Sequence, residues 1–485
     1  MTEAYFIGID IGTQGVRVNL VDHKGNLVGA GEKHFVLNEE AREEQSPDLW
    51  WESLKESLSG MLRSISPEID KGKIVSIGVT STSGTVIPID KACNPLHNAI
   101  MYSDKRSAPQ ALKCKEEAIK SAQNFTAFSF STGLAKMVWF SETFPEKAEK
   151  IYKWIHAADF ITGKISGVWA VTDYTNAFKS GYDILNYQWP AYISEKLPIK
   201  KEWLPEVVPS GEVIGEIDAN IAIQFGLPAS IKVVAGITDG CASQIAAGAV
   251  NPGEWNTTIG TTLVIKGVTI KELKDPYGRI YSHRHPLGYW MPGGASNTGA
   301  DWVTNDFGKD LAALNIYADE HLPGNHLAYP LRQKGERFPF IAPQASGFEP
   351  KGLSQEERFL ANMEGVAYIE RYAFELIEEL SGEKVKAIYT AGGASNSNAW
   401  LKIRSNVLRV PIFKMKYVSG AFGAAILAAS RTYFKDLPQS VKALTQIDKE
   451  VFPDTVTSQK YNENYQQFLN ILADKGYIKK ENINA

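Results

Sequence analysis

The sequence is poor in cysteine, with three in 485 residues. Cys93, Cys114 and Cys241 are odd in number and far apart, so we expect neither a disulfide framework nor a Cys-x-x-Cys metal site. The opening residues, MTEAYFIG, have no basic segment ahead of a long apolar stretch, which argues against a signal peptide. These features together predict a reduced, cytoplasmic protein.

An excess of positive charge is also missing. The chain has 51 Lys and Arg residues against 55 Asp and Glu residues, for a formal charge of −4, so we expect no nucleic-acid partner. No apolar run approaches the roughly 20 residues that span a bilayer, so we expect no membrane segment. A chain of 485 residues exceeds one ordinary hydrophobic core and predicts two or three domains.

Several common catalytic motifs are absent. The sequence has no GxxxxGK[ST] and no GxGxxG after a strand, which excludes P-loop and Rossmann nucleotide sites. The tripeptide at Asp306 to Gly308 reads DFG, but no HRD-type loop or VAIK strand accompanies it, so a protein kinase is excluded. No GxSxG motif supports a serine hydrolase.

The segments that are present alternate between strands and helices. "KIVSIGVT", "VIPID" and "IKVVAGI" predict strands, and "PQALKCKEEAIKSAQ" predicts a helix, which together favour an α/β fold. "SPDLWWESLKESL" predicts a helix capped by Ser46 with Pro47 at its first position. "EGVAYIERYAFELIEEL" predicts a helix with one apolar face, closed by Gly382.

One pattern occurs twice. "IGIDIGTQGVRVNL", residues 7–20, is a strand, a Gly-Thr corner and a second strand, and "NTTIGTTLVIKG", residues 256–267, repeats this order. We therefore expect two related domains, residues 1–250 and 251–485, that meet near the turn "NPGE". A cleft between two domains is a preferred place for ligands and would hold the catalytic site.

The two corners predict an anion site, because consecutive backbone N–H groups in a tight turn form a nest. The side chains available there are the hydroxyls of Thr13, Thr261 and Thr262 and the charge of Arg17. Asp10 is suited to hold Mg²⁺ through water. The alternative is that Gly12 and Gly15 only permit a hairpin and that Asp10 caps the turn. Either corner alone favours the alternative, whereas two similar corners favour ligand binding.

Two further segments admit a structural and a functional interpretation. In "AIYTAGGASNSNAWLKI" a strand runs into Gly392, Gly393 and Ala394, where a flat ring or a phosphate can approach the backbone, and a helix follows from about Ser397. The alternative is an ordinary strand-to-helix turn. In "IKVVAGITDGCASQ", Asp239 is either a helix N-cap or a functional carboxylate at the end of a strand. The pattern leaves both options open.

Together these segments resemble the FGGY family of carbohydrate kinases, in the superfamily of actin, Hsp70 and hexokinase. The resemblance runs from "FIGIDIGTQGVRV" to "GAFGAAILAAS". "QSPDLWWESL" resembles the family's Pro-x-x-Trp-Trp helix, and "IMYSDKRS" resembles its Trp-x-Asp-x-Arg segment, with Tyr102 in place of tryptophan. "GGASNTGADWV" and "AGGASNSNAWLKI" resemble segments of the family's second domain. Two departures are "APQASGFEPKG", which lacks a Gly-Glu-Arg, and "YVSGAFGAA", which lacks a preceding acidic residue.

The resemblance implies two actin-like, ribonuclease-H-like domains, each a mixed sheet flanked by helices, and it implies ATP and Mg²⁺ as cofactors. By position, Asp239 would be the catalytic base, and Asp10 would organise metal and substrate. The implied sugar-binding residues are Ser83, Asp104 and Arg106, together with Asp10 and Asp239. The implied nucleotide-binding residues are Thr13, Gln14, Arg17, Gly260, Thr261, Thr262, Gly299, Gly392, Gly393, Ala394 and Asn396.

The segment "GVTSTSGTVIPID" bears on the substrate. It has neither the Arg-Glu pair of glycerol kinases nor the Gln-Met-His of common xylulokinases, and "TSGTV" is similar to a branch that acts on D-ribulose, in which Ser83 would contact the sugar. The implied activity is phosphorylation of a terminal hydroxyl of a ketopentose, D-ribulose ahead of D-xylulose, to give the 5-phosphate. The alternatives are an actin- or Hsp70-like ATPase, an FGGY kinase for another sugar or polyol, and a silent sugar sensor. The expected partner is a small sugar, and a homodimer is one option for the assembly.

Overall fold

The computed structural model describes residues 2–36, 38–123, 125, 127–308 and 311–479. The chain divides into two compact units. Unit 1 comprises Met1–Ala246, His283–Gly288 and Tyr417–Thr445, and unit 2 comprises Ala247–Ser282, Tyr289–Lys416 and Gln446–Ala485. The first break lies close to the expected position near residue 250, but unit 1 also takes two segments from the second half of the chain.

The strands are, in chain order, β1 Tyr5–Gly12, β2 Gly15–Asp22, β3 Leu27–His34, β4 Glu44–Gln45, β5 Ile74–Ser81, β6 Val86–Ile89, β7 Ala99–Ile100, β8 Lys153–His156, β9 Val171–Asp173, β10 Glu206–Val208, β11 Val213–Glu216, β12 Lys232–Val234, β13 Ile237–Thr238, β14 Glu254–Ile259, β15 Leu263–Gly267, β16 Tyr281–Arg284, β17 Trp290–Ser296, β18 Ala387–Ala391, β19 Ile412–Met415 and β20 Ile447–Val451.

The helices are, in chain order, α1 Glu39–Glu43, α2 Pro47–Ser64, α3 Ala108–Lys120, α4 Gly133–Thr143, α5 Pro145–Ala148, α6 Ala157–Ser166, α7 Tyr174–Lys179, α8 Ala191–Glu195, α9 Ala219–Phe225, α10 Asp239–Ala247, α11 Asp301–Phe307, α12 Ala312–His321, α13 Gln355–Ser381, α14 Asn398–Leu408, α15 Gly420–Thr432, α16 Leu437–Leu444 and α17 Thr455–Asp474. Short 3₁₀ turns occupy Lys71–Lys73, Lys201–Trp203 and Gly393–Asn396. Among the described residues, no helix combines the length and the apolar character needed to cross a bilayer.

The main sheet of unit 1 has the order β11-β12-β5-β1-β2-β3, with β13 also paired to β5. β1 is antiparallel to β2, with Ile7 opposite Leu20, and parallel to β5. The predicted hairpin over residues 7–20 is therefore confirmed. Strands β12 and β13 continue the parallel half of the sheet, so the carboxyl ends of β1, β5 and β13 meet at one edge.

The main sheet of unit 2 includes, in this order, β17-β15-β14-β18-β19-β20. β14 is antiparallel to β15 and parallel to β18, and β18 is parallel to β19. From β17 to β20, the strand directions follow those of the unit 1 sheet from β3 to β11. The repeated sequence pattern thus marks the opening hairpin of two sheets with the same arrangement.

Helix α15 packs directly on β1 and β5 because two glycines allow it. A Cβ on Gly8 would lie 1.8 Å from the carbonyl oxygen of Ala421, and one on Gly78 would lie 2.3 Å from that of Ala424. Residues 420–430 of α15 are all buried. The helix therefore belongs to the core of unit 1, although it lies far along the chain from both strands.

The predicted helix ends are confirmed. The side chain of Ser46 accepts a hydrogen bond from the N–H of Leu49 at the start of α2, and Pro47 is its first residue. Gly382 closes α13 in the left-handed conformation, with φ 69°. The first turn of α13 carries a capping box that the sequence analysis did not include, in which Ser354 and Glu357 exchange hydrogen bonds.

Candidate active site

Asp10 lies near the carboxyl end of β1, where it faces Arg17 on β2 and Thr80 on β5. Its Oδ2 lies 2.8 Å from where a Cβ on Gly420 would stand, so the carboxylate is next to the first residue of α15. Burial raises the pKa of Asp10 to about 6, and the negative charge of Asp239 adds to this, while Arg17 acts in the opposite direction. Asp10 is thus a partly buried carboxylate beside a second one.

Asp239 is the first residue of α10 and follows the two-residue strand β13. Its Oδ1 accepts a hydrogen bond from the N–H of Gly240 at 2.6 Å, and the residue is exposed. Because β13 and β1 both pair with β5, the sheet brings Asp239 and Asp10 to the same edge. The two carboxylates that the sequence singled out are therefore neighbours in unit 1.

The predicted sugar residue Ser83 lies in the loop after β5. Its Oγ is buried and has no hydrogen-bond partner among the described residues. The loop is held in place at Gly84, where a Cβ would lie 2.3 Å from the carbonyl oxygen of Ser131 and 3.8 Å from the Cβ of Tyr102. Ser83 is consequently a buried hydroxyl with its hydrogen-bonding capacity unused, and the residue after it, Gly84, lies beside Tyr102.

The other two predicted sugar residues form an ion pair with each other. Arg106 donates to both carboxylate oxygens of Asp104, at 2.7 to 3.1 Å, and to Oε1 of Glu44 at 2.7 Å. Its guanidinium also lies 4.4 Å from the centre of the Trp139 ring. Asp104 is completely buried. In this structure both side chains serve to fix the segment that follows Tyr102.

A buried lysine in the same region was not predicted. The Nζ of Lys136 on α4 donates to the main-chain oxygens of Asp104, at 3.1 Å, and of Phe130. The side chain is completely buried, and burial lowers its pKa to about 8. Lys136 therefore ties the segment at Asp104 to the segment at Phe130. The sequence signal is a lysine inside an otherwise apolar helix, "GLAKMVWF".

The first Gly-Thr corner is held by hydrogen bonds to its main-chain oxygens. Thr13 and Gln14 form the turn between β1 and β2, and their carbonyl oxygens accept hydrogen bonds from Gln45 Nε2 and from the N–H of Phe35. The exposed side chain of Arg17 pairs with Glu32 at 2.7 Å. The predicted phosphate-binding role of these three residues remains a prediction.

The second corner is built from close main-chain contacts in unit 2. Gly260, Thr261 and Thr262 form the turn between β14 and β15. A Cβ on Gly299 would lie 2.3 Å from the carbonyl oxygen of Thr261, and one on Gly392 would lie 2.5 Å from that of Ile259. Gly392 also has φ 85°. Both glycines were predicted, and the structure brings them against this turn.

A cavity of about 550 Å³ opens beside this turn. The predicted residues Gly260, Thr261, Gly393 and Ala394 contribute to its wall, which we call the glycine-lined cavity. Its remaining walls include two residues that the sequence analysis did not select, Asn315 on α12 and Trp400 on α14. These come from helices distant in sequence, so only the three-dimensional packing reveals them.

Asn396 lies on the other side of Gly393, at the wall of an adjoining cavity of about 480 Å³. Its Oδ1 accepts a hydrogen bond from Lys414 Nζ at 3.0 Å, and its carbonyl oxygen accepts one from Lys449 at 3.0 Å. Lys414 lies on β19 and Lys449 on the edge strand β20, and the wall of this cavity also includes the acidic residues Asp319 and Glu320.

A buried glutamate stabilises the loop before Gly299. Glu336 accepts hydrogen bonds from Ser296 Oγ at 2.8 Å, Thr298 Oγ1 at 3.0 Å and Tyr329 OH at 2.9 Å. Glu336 is the middle residue of Gly335-Glu336-Arg337. A Gly-Glu-Arg tripeptide, which the segment "APQASGFEPKG" lacks, is thus present just upstream of that segment.

The chain belongs to the FGGY family of carbohydrate kinases. The model of the family's N-terminal domain matches residues 5–246, and the model of its C-terminal domain matches residues 256–431. The protein is accordingly a phosphotransferase that acts on an alcohol group of a sugar or polyol, as the resemblance implied.

Individual relatives are distant but cover the whole length. The chain is 26% identical to a xylulose kinase of Bacillus subtilis over 489 residues, with 96% of each chain covered. It is 25% identical to a gluconokinase of Bacillus licheniformis, with 96% of this chain and 95% of the relative covered. A crystal structure titled as a xyloylose kinase from Brucella ovis superposes with a TM-score of 0.85 over 97% of this chain and 99% of the other, at 24% identity. These likenesses confirm the two-domain α/β fold.

Proposed function

We propose that this protein transfers the terminal phosphoryl group of ATP to a terminal hydroxyl of a ketopentose, D-xylulose or D-ribulose. The observation that carries the proposal is the carboxylate pair of unit 1, in which Asp239 stands at the end of a strand beside Asp10, whose pKa is raised to about 6. Titratable groups with perturbed pKa values concentrate at catalytic sites. Asp239 is the proposed general base and Asp10 the proposed metal and substrate organiser.

The chemistry explains why a base is useful here. A sugar hydroxyl is a weak acid, so Asp239 would accept its proton as the oxygen attacks phosphorus. Most of the rate enhancement in phosphoryl transfer comes from positioning and charge neutralisation. An exposed carboxylate at the start of a helix is accessible to an incoming hydroxyl, which suits this role.

Unit 2 offers the features expected of the nucleotide site. The glycine-lined cavity has a volume suited to a small organic ligand. The main-chain N–H groups of Thr261 and Thr262 in this turn and the small residues at 392–394 allow phosphates and a flat ring to approach the backbone. We propose that the residues predicted for nucleotide binding act here, together with Asn315 and Trp400.

The side chains around Asp10 fit a hydrated Mg²⁺ ion. Asp10 and Asp239 repel each other, so binding of a cation between them is favourable. Within the described ranges, no group of three His, Cys, Asp or Glu side chains is placed to hold a metal ion by itself. Mg²⁺ commonly keeps several waters and binds through one or two carboxylates and substrate oxygens. When bound, the ion would supply positive charge to the phosphate oxygens.

The choice of a ketopentose rests on the Ser83 loop and on the relatives. A buried hydroxyl without a partner can hydrogen-bond a substrate hydroxyl, and Tyr102, beside Gly84, is partly exposed. The names of several relatives favour xylulose, whereas "TSGTV" favours D-ribulose. We retain both sugars in the proposal. A cytoplasmic location and a homodimer remain predictions.

A coupled assay of ADP release tests the proposal. We expect strict dependence on an added ketopentose, measured against D-gluconate, glycerol, aldopentoses and pentitols as alternative acceptors. Turnover that ignores every sugar would favour an actin- or Hsp70-like ATPase. Preference for gluconate would retain the kinase and overturn the ketopentose. Activity of Asp239→Asn equal to that of the wild type would overturn the base assignment and leave the acceptor profile unaffected.

A further inference from the structure

The segment that carries Asp239 joins a short strand to helix α10. It reads Gly236-Ile237-Thr238-Asp239-Gly240, with a glycine at each end. Its strand, β13, is only two residues long. Glycine adds backbone freedom, so this sequence by itself does not fix where the Asp239 carboxylate stands. Something else must hold the segment if the carboxylate is to work as a base.

Two buried threonines hold the peptide bond between Ile237 and Thr238 from both sides. Thr80 Oγ1, on β5, donates to the carbonyl oxygen of Ile237 at 2.8 Å. Thr175 Oγ1, on α7, accepts from the N–H of Thr238 at 2.9 Å. Both threonines are completely buried. Each polar group of the peptide bond therefore has one side-chain hydroxyl as its partner.

Asp173 fixes the direction of the Thr175 hydroxyl. The hydroxyl donates to Asp173 Oδ1 at 2.6 Å, so its lone pair points toward Thr238. The same carboxylate accepts from the N–H of Thr175 at 2.7 Å, from Ser210 Oγ at 2.9 Å and from Asn176 Nδ2 at 2.5 Å. Asp173 is completely buried. With the N–H of Asn176 at 3.4 Å, five donors from neutral groups thus immobilise the carboxylate that orients Thr175.

Thr80 also lies beside the other carboxylate of the site, because it is the cross-strand partner of Asp10. A Cβ on Gly420 would lie 3.3 Å from the methyl carbon of Thr80 and 2.8 Å from Asp10 Oδ2. Thr80 therefore contacts both the main chain that carries Asp239, at Ile237, and the residues around Asp10. The arrangement links the two carboxylates through rigid, buried groups.

We propose that Thr80, Thr175 and Asp173 form a peptide clamp whose function is to position Asp239 for phosphoryl transfer. The three are positioning residues and do not contact the substrate. This inference rests on the proposed role of Asp239. Since small displacements of a catalytic group are costly to the rate, loss of a clamp hydroxyl reduces the rate of the chemical step and leaves ground-state binding of ATP and sugar nearly unchanged.

The test compares Thr175→Val, Thr80→Val and Thr175→Ser with the wild type, on whichever acceptor the wild type phosphorylates best. We expect kcat of both valine variants to fall about 10- to 100-fold, with both KM values within about threefold of the wild type. Thr175→Ser, which keeps the hydroxyl, should recover most of the lost kcat. Thr80→Val and Thr175→Ser carry the test if Thr175→Val does not fold.

Thr162→Val is the matched control, because Thr162 is another buried threonine of unit 1 whose hydroxyl bonds a main-chain oxygen, that of Asp159 at 3.0 Å. It should lower the melting temperature and leave kcat unchanged. The proposal is overturned if kcat falls no further in the Thr175 and Thr80 variants than in Thr162→Val. It is also overturned if these variants raise the KM for ATP instead of lowering kcat. A wild-type rate in Asp239→Asn would overturn both the base and the clamp. An unexpected acceptor would overturn only the choice of sugar.

Discussion

Asp10 and Thr80 face each other across the parallel pair β1 and β5, and Thr80 also bonds the carbonyl oxygen two residues before Asp239. The register of one strand pair therefore sets the spacing of both carboxylates.

The first prediction concerns Asp10→Asn. We expect turnover to collapse, because the amide lacks the negative charge that a cation needs. The raised pKa of Asp10 means that its contribution to folding stability is fully present below about pH 4 and is lost as the pH rises through about 6. At pH 7.5 the melting temperature of the variant should therefore equal or exceed that of the wild type. Retained activity would reduce Asp10 to a turn residue.

The second prediction concerns Asp239→Asn. The amide oxygen still accepts the hydrogen bond from Gly240 N–H, so we expect a near-native melting temperature. Because an amide cannot accept the hydroxyl proton, kcat should fall roughly 10²- to 10⁴-fold. Asp218→Asn is a suitable control, since Asp218 caps α9 of the same unit. Binding of ATP, measured by calorimetry, should be unchanged in both variants.

The third prediction concerns Ser83→Ala. Since Ser83 Oγ has no hydrogen-bond partner in the described part of the chain, its removal should cost no stability. If the hydroxyl contacts the sugar, KM for the sugar should rise about tenfold, the equivalent of one hydrogen bond, with KM for ATP unchanged. Equal changes in both KM values would place the sugar elsewhere.

The fourth prediction concerns Lys136. Its pKa is lowered to about 8 by burial, whereas an unfolded lysine titrates near 10.4. Between these values the unfolded state binds more protons, so this group makes the free energy of unfolding rise with pH. The free energy of unfolding, measured with urea, should be larger at pH 10 than at pH 8 in the wild type. Lys136→Met should lack this increase. An identical pH dependence in the two proteins would contradict the prediction.

The fifth prediction concerns Gly299→Ala in unit 2. The new Cβ would lie 2.3 Å from the carbonyl oxygen of Thr261, so the turn must move away. We expect KM for ATP to rise at least tenfold and the melting temperature to fall. Gly60→Ala, on α2, is the control, because nothing lies within 4 Å of the new Cβ. It should leave KM unchanged and raise stability slightly.

Local sequence patterns predicted much of the fold. The hairpin over residues 7–20, the capped start of α2 and the glycine end of α13 depend on neighbours within a few positions, and each was predictable. The saturation of Asp104 by Arg106 was not, because a sequence shows that a carboxylate is present but not whether its oxygens are already used. The predicted contact of Asp104 with the sugar remains a prediction.

The site residues that the sequence missed come from distant segments. Asn315 and Trp400 reach the glycine-lined cavity only through the packing of α12 and α14. The tripeptide of Glu336 is visible in the sequence, but its hydrogen-bond partners Ser296 and Thr298 lie 40 and 38 positions away. The clamp residue Thr175 has no local signal at all, since its partner Thr238 lies 63 positions away.

The place of α15 in unit 1 bears on how the chain folds as it is synthesised. When a ribosome has released residues 1–246, the glycine-bearing face of β1 and β5 has no helix to cover it, and Gly8 and Gly78 leave main chain open to water. Only after residue 432 has emerged can α15 dock and complete that core. A fragment that stops at residue 250 should therefore be unstable alone, and adding a separate peptide of residues 417–445 should restore it.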